Sequence, residues 1–102
     1  MPRLIALYAA PADPEAFDAH YRDVHVPILN RYPKLRDVRL TSPEGVAGQP
    51  APWYLMAEMV FDTDENLEAA LSSEAGRESA KDLRNFAQSG VTLFIAPDEA
   101  DG

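Results

Sequence analysis

The sequence contains no cysteine in its 102 residues. Disulfide bonds, thiolate nucleophiles and cysteine-ligated metals are therefore excluded. No apolar run is long enough to span a bilayer, and the N-terminus lacks the apolar region and cleavage site of a secretory signal. We expect a cytoplasmic protein that does not interact with a membrane.

Basic residues are also scarce. Nine Lys and Arg residues against 17 Asp and Glu residues give a formal charge of −8 at pH 7, whereas nucleic-acid binding needs a basic field. A metal site is not predicted either, because the two histidines would lie about 140° apart around a straight helix and no adjacent carboxylate completes a ligand pattern. We expect neither a nucleic-acid partner nor a cofactor.

Hydrophobic residues make up 46% of the chain. This fraction in so short a sequence indicates one domain with a sheet covered on both faces or with a large interface. We predict a single domain over residues 1–102, in which the acidic segment 97–102 frays.

Short apolar runs bounded by turn residues predict four strands, at residues 3–9, 35–41, 53–61 and 91–96. The first run is apolar at both alternating sets of positions, so neither face is suited to water. The runs at residues 53–61 and 91–96 are also apolar on both faces. The Pro- and Gly-rich segment 43–52 is predicted to be a loop.

Asp13 and Pro14 form a strong helix start, and the pattern extends to about Tyr32. Pro27 is expected to kink or stop this helix near His25, because proline has no N–H for the preceding turn. Residues 62–65 resemble the start of a second helical region. Gly76 is predicted to interrupt this region, which then continues to Gly90.

The order of these elements is β-α-β-β-α-β. Two split βαβ halves predict an α+β fold, a four-stranded antiparallel sheet with both helices on one face. The opposite face is apolar and bare, so we expect a second subunit to cover it in a homodimer.

The candidate chemistry is concentrated in residues 18–28, which hold both histidines. At roughly 100° per residue, His20 and His25 lie at the two edges of an apolar stripe, where the core meets a cavity or solvent. Either ring could also be an ordinary boundary residue with satisfied hydrogen bonds.

Several motifs resemble the EthD family. The most specific is His20-Tyr21-x-x-x-His25-x-Pro27. It is joined by softer motifs at residues 8–11, 53–61 and 82–86, so the resemblance spans nearly the whole chain.

The resemblance implies a dimeric α+β barrel, in which two ferredoxin-like sheets close face to face and each subunit keeps a pocket between sheet and helices. It favours His25 as the acid/base group, with His20 in support. The leading hypothesis is a cofactor-independent enzyme, of isomerase, cyclase or decarboxylase type, that transfers a proton on a small apolar aromatic or carbonyl compound. The alternatives are a non-catalytic dimeric ligand-binding or accessory protein and a haem or oxygen-using member of the same superfold.

Other residues are candidates for ligand contact. Tyr8 could donate its hydroxyl to a substrate carbonyl or simply pack in the core. Glu58 is an acid within a central strand, and the simpler interpretation is a salt bridge to Arg36 or Arg39. Apolar walls of a pocket are expected from four side chains that also suit a core: Trp53, Tyr54, Met56 and Met59. Tyr21 is a further candidate for substrate contact, although it also suits the core.

Overall fold

A computed structural model describes residues 1–98 of the chain. Residues 99–102 of the predicted fraying tail lie outside the described residues. At the start of this tail, the Asp98 carboxylate pairs with the amino group of Met1.

The four predicted strands form one sheet in the order β2-β3-β1-β4, and every neighbouring pair is antiparallel. The strands are β1 (Arg3–Tyr8), β2 (Asp37–Thr41), β3 (Leu55–Val60) and β4 (Val91–Ala96). This confirms the α+β fold predicted from the order of elements. Trp53 and Tyr54 precede β3 rather than opening it, since Pro50 and Pro52 keep the segment before it out of the sheet.

The two faces of β1 separate the molecule into layers. Leu4, Ala6 and Tyr8 belong to the core cluster that also includes residues of the helices. Ile5 lies on the opposite face, where it is paired with Glu58 of β3 and Phe94 of β4. This second face, called the open face below, carries no helix within the described residues.

The first helical region runs without a break past the position where a kink was predicted. It consists of α1 (Pro14–His20), a π-helical segment (Tyr21–His25) and α2 (Val26–Leu29). The amide of Val26 donates to the carbonyl of Tyr21, five residues earlier. The wider turn accommodates the ring of Pro27 inside the helix, so the helix does not stop near His25.

The second helical region comprises α3 (Asp64–Ser72) and α4 (Glu74–Phe86). Its division lies at Ser73, whose hydroxyl accepts from the amide of Gly76 as the N-cap of α4. The predicted interruption at Gly76 is therefore wrong, and the helical region divides at Ser73 instead. Gly76 is buried within α4, where a Cβ would collide with the carbonyl oxygen of Ala70, and glycine permits the two helices to approach closely.

The predicted loop between β2 and β3 contains only a short 3₁₀ turn, Val46–Gly48. None of the helices formed by residues 1–98 is both long and apolar enough to cross a membrane.

Candidate active site

The polar centre of the molecule is the carboxylate of Asp82 on α4, which is only 6% exposed. It accepts hydrogen bonds from three side chains. His20 Nε2 lies 2.9 and 3.0 Å from its two oxygens, His25 Nδ1 lies 2.9 Å from Oδ2, and Asn85 Nδ2 lies 2.9 Å from Oδ1. A single buried carboxylate thus fixes both histidines of the chain.

The π-helical segment explains how His20 and His25 reach one acceptor. Hydrogen bonds of the i→i+5 type place residues five apart near one another along the helix. The angular separation that a straight helix would impose on His20 and His25 is thereby removed. Such segments are often found at functional sites.

The two rings differ in exposure. The side chain of His20 is 25% exposed, whereas His25 is buried at 2%. The prediction that both rings lie where the core meets a cavity or solvent therefore holds for His20 and is wrong for His25. Because the helix does not break at Pro27, the His25 ring stays packed against Tyr21 and Phe86.

The hydrogen bonds indicate which nitrogen of each ring carries the proton when that ring is in its neutral form. His25 donates from Nδ1 to Asp82, so its Nε2 carries a lone pair that faces the Ser79 hydroxyl at 3.4 Å. His20 donates from Nε2 to the same carboxylate, which leaves Nδ1 as its acceptor nitrogen. Nδ1 of His20 has no hydrogen-bond partner among residues 1–98.

Burial sets the charge of this cluster. It lowers the pKa of His25, and the opposing effect of the Asp82 carboxylate does not overcome it. Burial alone would raise the pKa of Asp82, but hydrogen bonds from Asn85, His25 and His20 outweigh that effect and hold the pKa below its ordinary value. The folded protein therefore favours an ionised Asp82 beside a neutral His25.

We expect the protein to lose stability on acidification, beginning below about pH 6.5, the ordinary pKa of histidine. Because the pKa of His25 is lowered in the folded state, the unfolded chain binds more protons in this range. The free energy of unfolding therefore decreases as the pH is lowered. The lowered pKa of Asp82 adds a further loss below about pH 4.

Urea unfolding of the wild type and of His25→Gln at pH 7.5 and pH 5 measures this effect. The difference between the two pH values should be smaller in the variant. If the free energy of unfolding of the wild type exceeds that of His25→Gln by more at pH 5 than at pH 7.5, His25 is instead stabilised in its charged form.

A cleft of about 390 Å³ borders the cluster. Two largely buried aromatic residues, Phe17 and Phe86, line it together with His20 and Asn85. The His20 ring stacks on Phe86 with centroids 5.0 Å apart and planes inclined by 23°. His25 does not line this cleft. It lies behind it, on the other side of Asp82.

The other predicted ligand residues are divided among separate parts of the molecule. Trp53 and Tyr54 line a second cleft, of about 430 Å³, where the Tyr54 hydroxyl donates to Asp18 at 2.8 Å. Met56 and Glu58 are in register with Leu7 and Ile5 on the open face, away from the histidines.

Glu58 forms a salt bridge, but not with either predicted partner. Arg3 Nη1 lies 2.8 Å from its Oε1, while Arg36 pairs with Asp62 and Arg39 with Asp37. Arg3 and Glu58 lie on the same face of adjacent strands as diagonal neighbours, because Arg3 is paired with Val60 and Glu58 is paired with Ile5.

Tyr8 and Tyr21 belong to the aromatic core beneath the cluster. Their rings meet edge to face with centroids 5.6 Å apart, and burial raises the pKa of both hydroxyls. The Tyr21 hydroxyl is buried and has no hydrogen-bond partner of good geometry in the described part of the chain. Both phenols therefore stay protonated near neutral pH and can donate or accept a hydrogen bond, but they do not act as phenolate bases.

Asp82 and Ser79 were not identified as site residues from the sequence. The available signal was the spacing of Ser79, Asp82 and Phe86 along one face of α4, where polar groups interrupt an otherwise buried side. Within residues 1–98, no group of three or more histidine or acidic side chains is arranged to hold a metal ion.

The EthD domain model matches residues 9–90, which include every member of the cluster. The chain belongs to the EthD family. An EthD family protein from Bacillus halodurans is 39% identical, with a TM-score of 0.88 over 97% of this chain and 99% of that one.

Two more distant structures are similar in fold alone. A dimeric ferredoxin-like protein of unknown function from Thermobifida fusca is 12% identical, with a TM-score of 0.68 over 94% of this chain and 89% of that chain. SnoaB, a cofactor-independent oxygenase from Streptomyces nogalater, is 12% identical, with a TM-score of 0.68 over 98% and 94% of the two chains. The ferredoxin-like fold implied by the resemblance is confirmed.

Proposed function

We propose that this EthD family protein is a cofactor-independent enzyme that transfers a proton on a small apolar aromatic or carbonyl compound bound beside His20. The observation that carries this proposal is the shared carboxylate. Asp82 holds two imidazoles, and one of them lines a cleft with aromatic walls. A general base needs a free lone pair, a positioned ring and a nearby anion to stabilise its protonated form.

In the proposed reaction, His20 Nδ1 removes a proton from a carbon or a hydroxyl of the ligand. The electron pair of the broken C–H or O–H bond moves into the ligand, as an enolate or phenolate, and a new N–H bond forms on His20. Asp82 stabilises the imidazolium, whose Nδ1 proton can exchange with solvent because His20 is partly exposed, and Nδ1 then delivers one proton to a second atom of the ligand or back to the first. This sequence is balanced without any oxidant or metal and is the step that an isomerase or cyclase requires.

The remaining proposed groups support His20 rather than taking the proton themselves. His25 and Asn85 orient the Asp82 carboxylate through hydrogen bonds. Tyr8 lies below the aromatic walls and is 1% exposed, so its proposed role as a hydroxyl donor requires a ligand that enters deeply. A cofactor-independent enzyme with the same fold, SnoaB, supports the general class but not a particular reaction.

Proton exchange tests this function without knowledge of the natural substrate. We suggest incubating the protein with 1-tetralone, a neutral enolisable ketone, in D2O and following the loss of its α-C–H signal by NMR. Exchange above the buffer rate that is lost in His20→Gln supports the proposal. The same slow exchange with and without protein, although 1-tetralone binds, favours the ligand-binding or accessory alternative.

We further propose that two copies of the chain associate through the open face. Leu7 and Met56 are partly exposed there, and Phe94 leaves 43% of its area exposed. Exposed apolar side chains on a sheet face that no helix covers indicate an interface. The dimeric relative from Thermobifida fusca, which has the same fold, supports a second copy as the occupant.

We expect light scattering to give the mass of a dimer at micromolar concentration and Phe94→Asp to give a monomer that remains folded. The substitution places a charge in the proposed interface, where burial without a partner is costly, but it removes little from the monomer core. Leu71→Asp is the matched control, because Leu71 is 37% exposed on the helical layer. A monomeric wild type, or a Phe94→Asp variant that stays dimeric, contradicts this interface.

A further inference from the structure

The charge of the His20 cleft restricts what it can bind. Among the described residues that line it, Asp13 and His20 are the only ionisable ones, and no lysine or arginine is present. The second cleft, beside Trp53, likewise has an aspartate, Asp18, and no basic residue in its described lining. A ligand carboxylate or phosphate would therefore find no lysine or arginine to pair with in either cleft, in a protein whose formal charge is −8.

The shape and surface of the His20 cleft favour a flat ligand. Its volume of about 390 Å³ lies within the range of small-molecule sites. Phe17 and Phe86 meet at a centroid distance of 5.2 Å, and the His20 ring continues this aromatic surface by stacking on Phe86. A planar ring can add to such an arrangement by offset or edge-to-face contact.

The acceptor nitrogen of His20 determines the polar group of the ligand. Since Nε2 donates to Asp82, Nδ1 can only accept a hydrogen bond while the ring is neutral. A ketone or ether oxygen has no hydrogen to donate to this atom, whereas the hydroxyl of a phenol or an enol can donate a hydrogen bond to it.

We infer that the His20 cleft binds a neutral, planar aromatic compound that carries a phenolic or enolic hydroxyl, and that it discriminates against the corresponding carboxylate. This inference rests on the proposed function for the role of His20, but it concerns binding and does not require turnover. It places the ligand against the aromatic surface that Phe17, Phe86 and the His20 ring line, with its hydroxyl on His20 Nδ1.

Three probes of similar size test the inference at pH 7: 2-naphthol, which is un-ionised and donates a hydrogen bond, 2-methoxynaphthalene, which cannot donate, and 2-naphthoate, which is charged. We expect 2-naphthol to bind at least about tenfold more tightly than either of the others, the change that corresponds to about 1.4 kcal/mol. Titrations followed by ¹H–¹⁵N NMR give each affinity and locate the probe, with shifts expected at His20, Asn85 and Phe86.

Two lysine variants test the electrostatic part. Gln88→Lys adds a cation to the His20 cleft and should strengthen 2-naphthoate binding, whereas Ser42→Lys adds one to the second cleft and should not. His20→Leu, which removes the acceptor nitrogen and adds no other acceptor, should remove the preference for 2-naphthol over its methyl ether. Equal affinity of the wild type for 2-naphthol and 2-naphthoate, or shifts centred on Trp53 and Tyr54, overturns the inference.

The binding and exchange experiments test the ligand class and the proton transfer independently. If 2-naphthol is preferred but 1-tetralone is not exchanged, the ligand class stands and the proposed proton transfer is wrong. If exchange occurs without the preference, the proton transfer stands and the ligand class is wrong.

Discussion

Replacing Asp82 by alanine is expected to lower the free energy of unfolding by about 3 kcal/mol, the upper end of the cost of leaving a buried polar group without its hydrogen-bond partner. The substitution would leave the Nε2–H of His20, the Nδ1–H of His25 and the amide of Asn85 without their acceptor. Buried donors that lose their partners retain the full cost of desolvation. Urea unfolding at pH 7 measures the loss as a lower midpoint with an unchanged slope.

Two further variants separate the hydrogen-bond network from the loss of side-chain volume. Asp82→Asn keeps the volume and one acceptor oxygen but turns an amide group toward the histidines, so its loss should be intermediate. Asp23→Ala removes an exposed acid that pairs with Arg22 and should leave the midpoint unchanged. If Asp82→Ala unfolds at the wild-type urea concentration, the cluster does not stabilise the fold.

The sheet could be predicted from the sequence because its signals are local. Strands such as β1 alternate apolar residues toward both faces, and the caps Asp13 and Thr63 mark helix starts through hydrogen bonds to residues three positions later. The role of Gly76 could not be predicted in this way. Its conformation is helical, and only the approach of Ala70 shows why glycine is needed there.

The site was predicted in part. Both histidines were identified, but their acceptor lies 62 and 57 residues away in sequence, and no spacing rule connects such distant positions. The π-helical segment was missed because Pro27 normally breaks a helix, and this changed which ring reaches the surface. Tyr54 and Glu58 were grouped as ligand residues although one lines a cleft beside α1 and the other lies on the open face.

We expect His20→Gln to lower the rate of proton exchange by about 10² to 10⁴-fold, the usual share of general acid/base catalysis. Glutamine retains a hydrogen-bond donor for Asp82 but has no basic nitrogen at the position of Nδ1. This order differs from that predicted from the sequence, in which His25 carried the larger effect. The difference in exposure supports the change, since His20 lines the cleft and His25 is buried behind Asp82.

His25→Gln is the matched comparison, and its expected effect on the rate is smaller because His25 acts on the ligand only through Asp82. Its ring is buried, so the melting temperature must be measured alongside the rate to separate a loss of folded protein from a loss of chemistry. The ¹⁵N shifts of His20 provide a second readout, since they report whether Nδ1 still carries the lone pair. If a folded His25→Gln protein loses more activity than His20→Gln while His20 keeps its tautomer, His25 is the proton-transferring group and must reach the ligand by a rearrangement of the cleft.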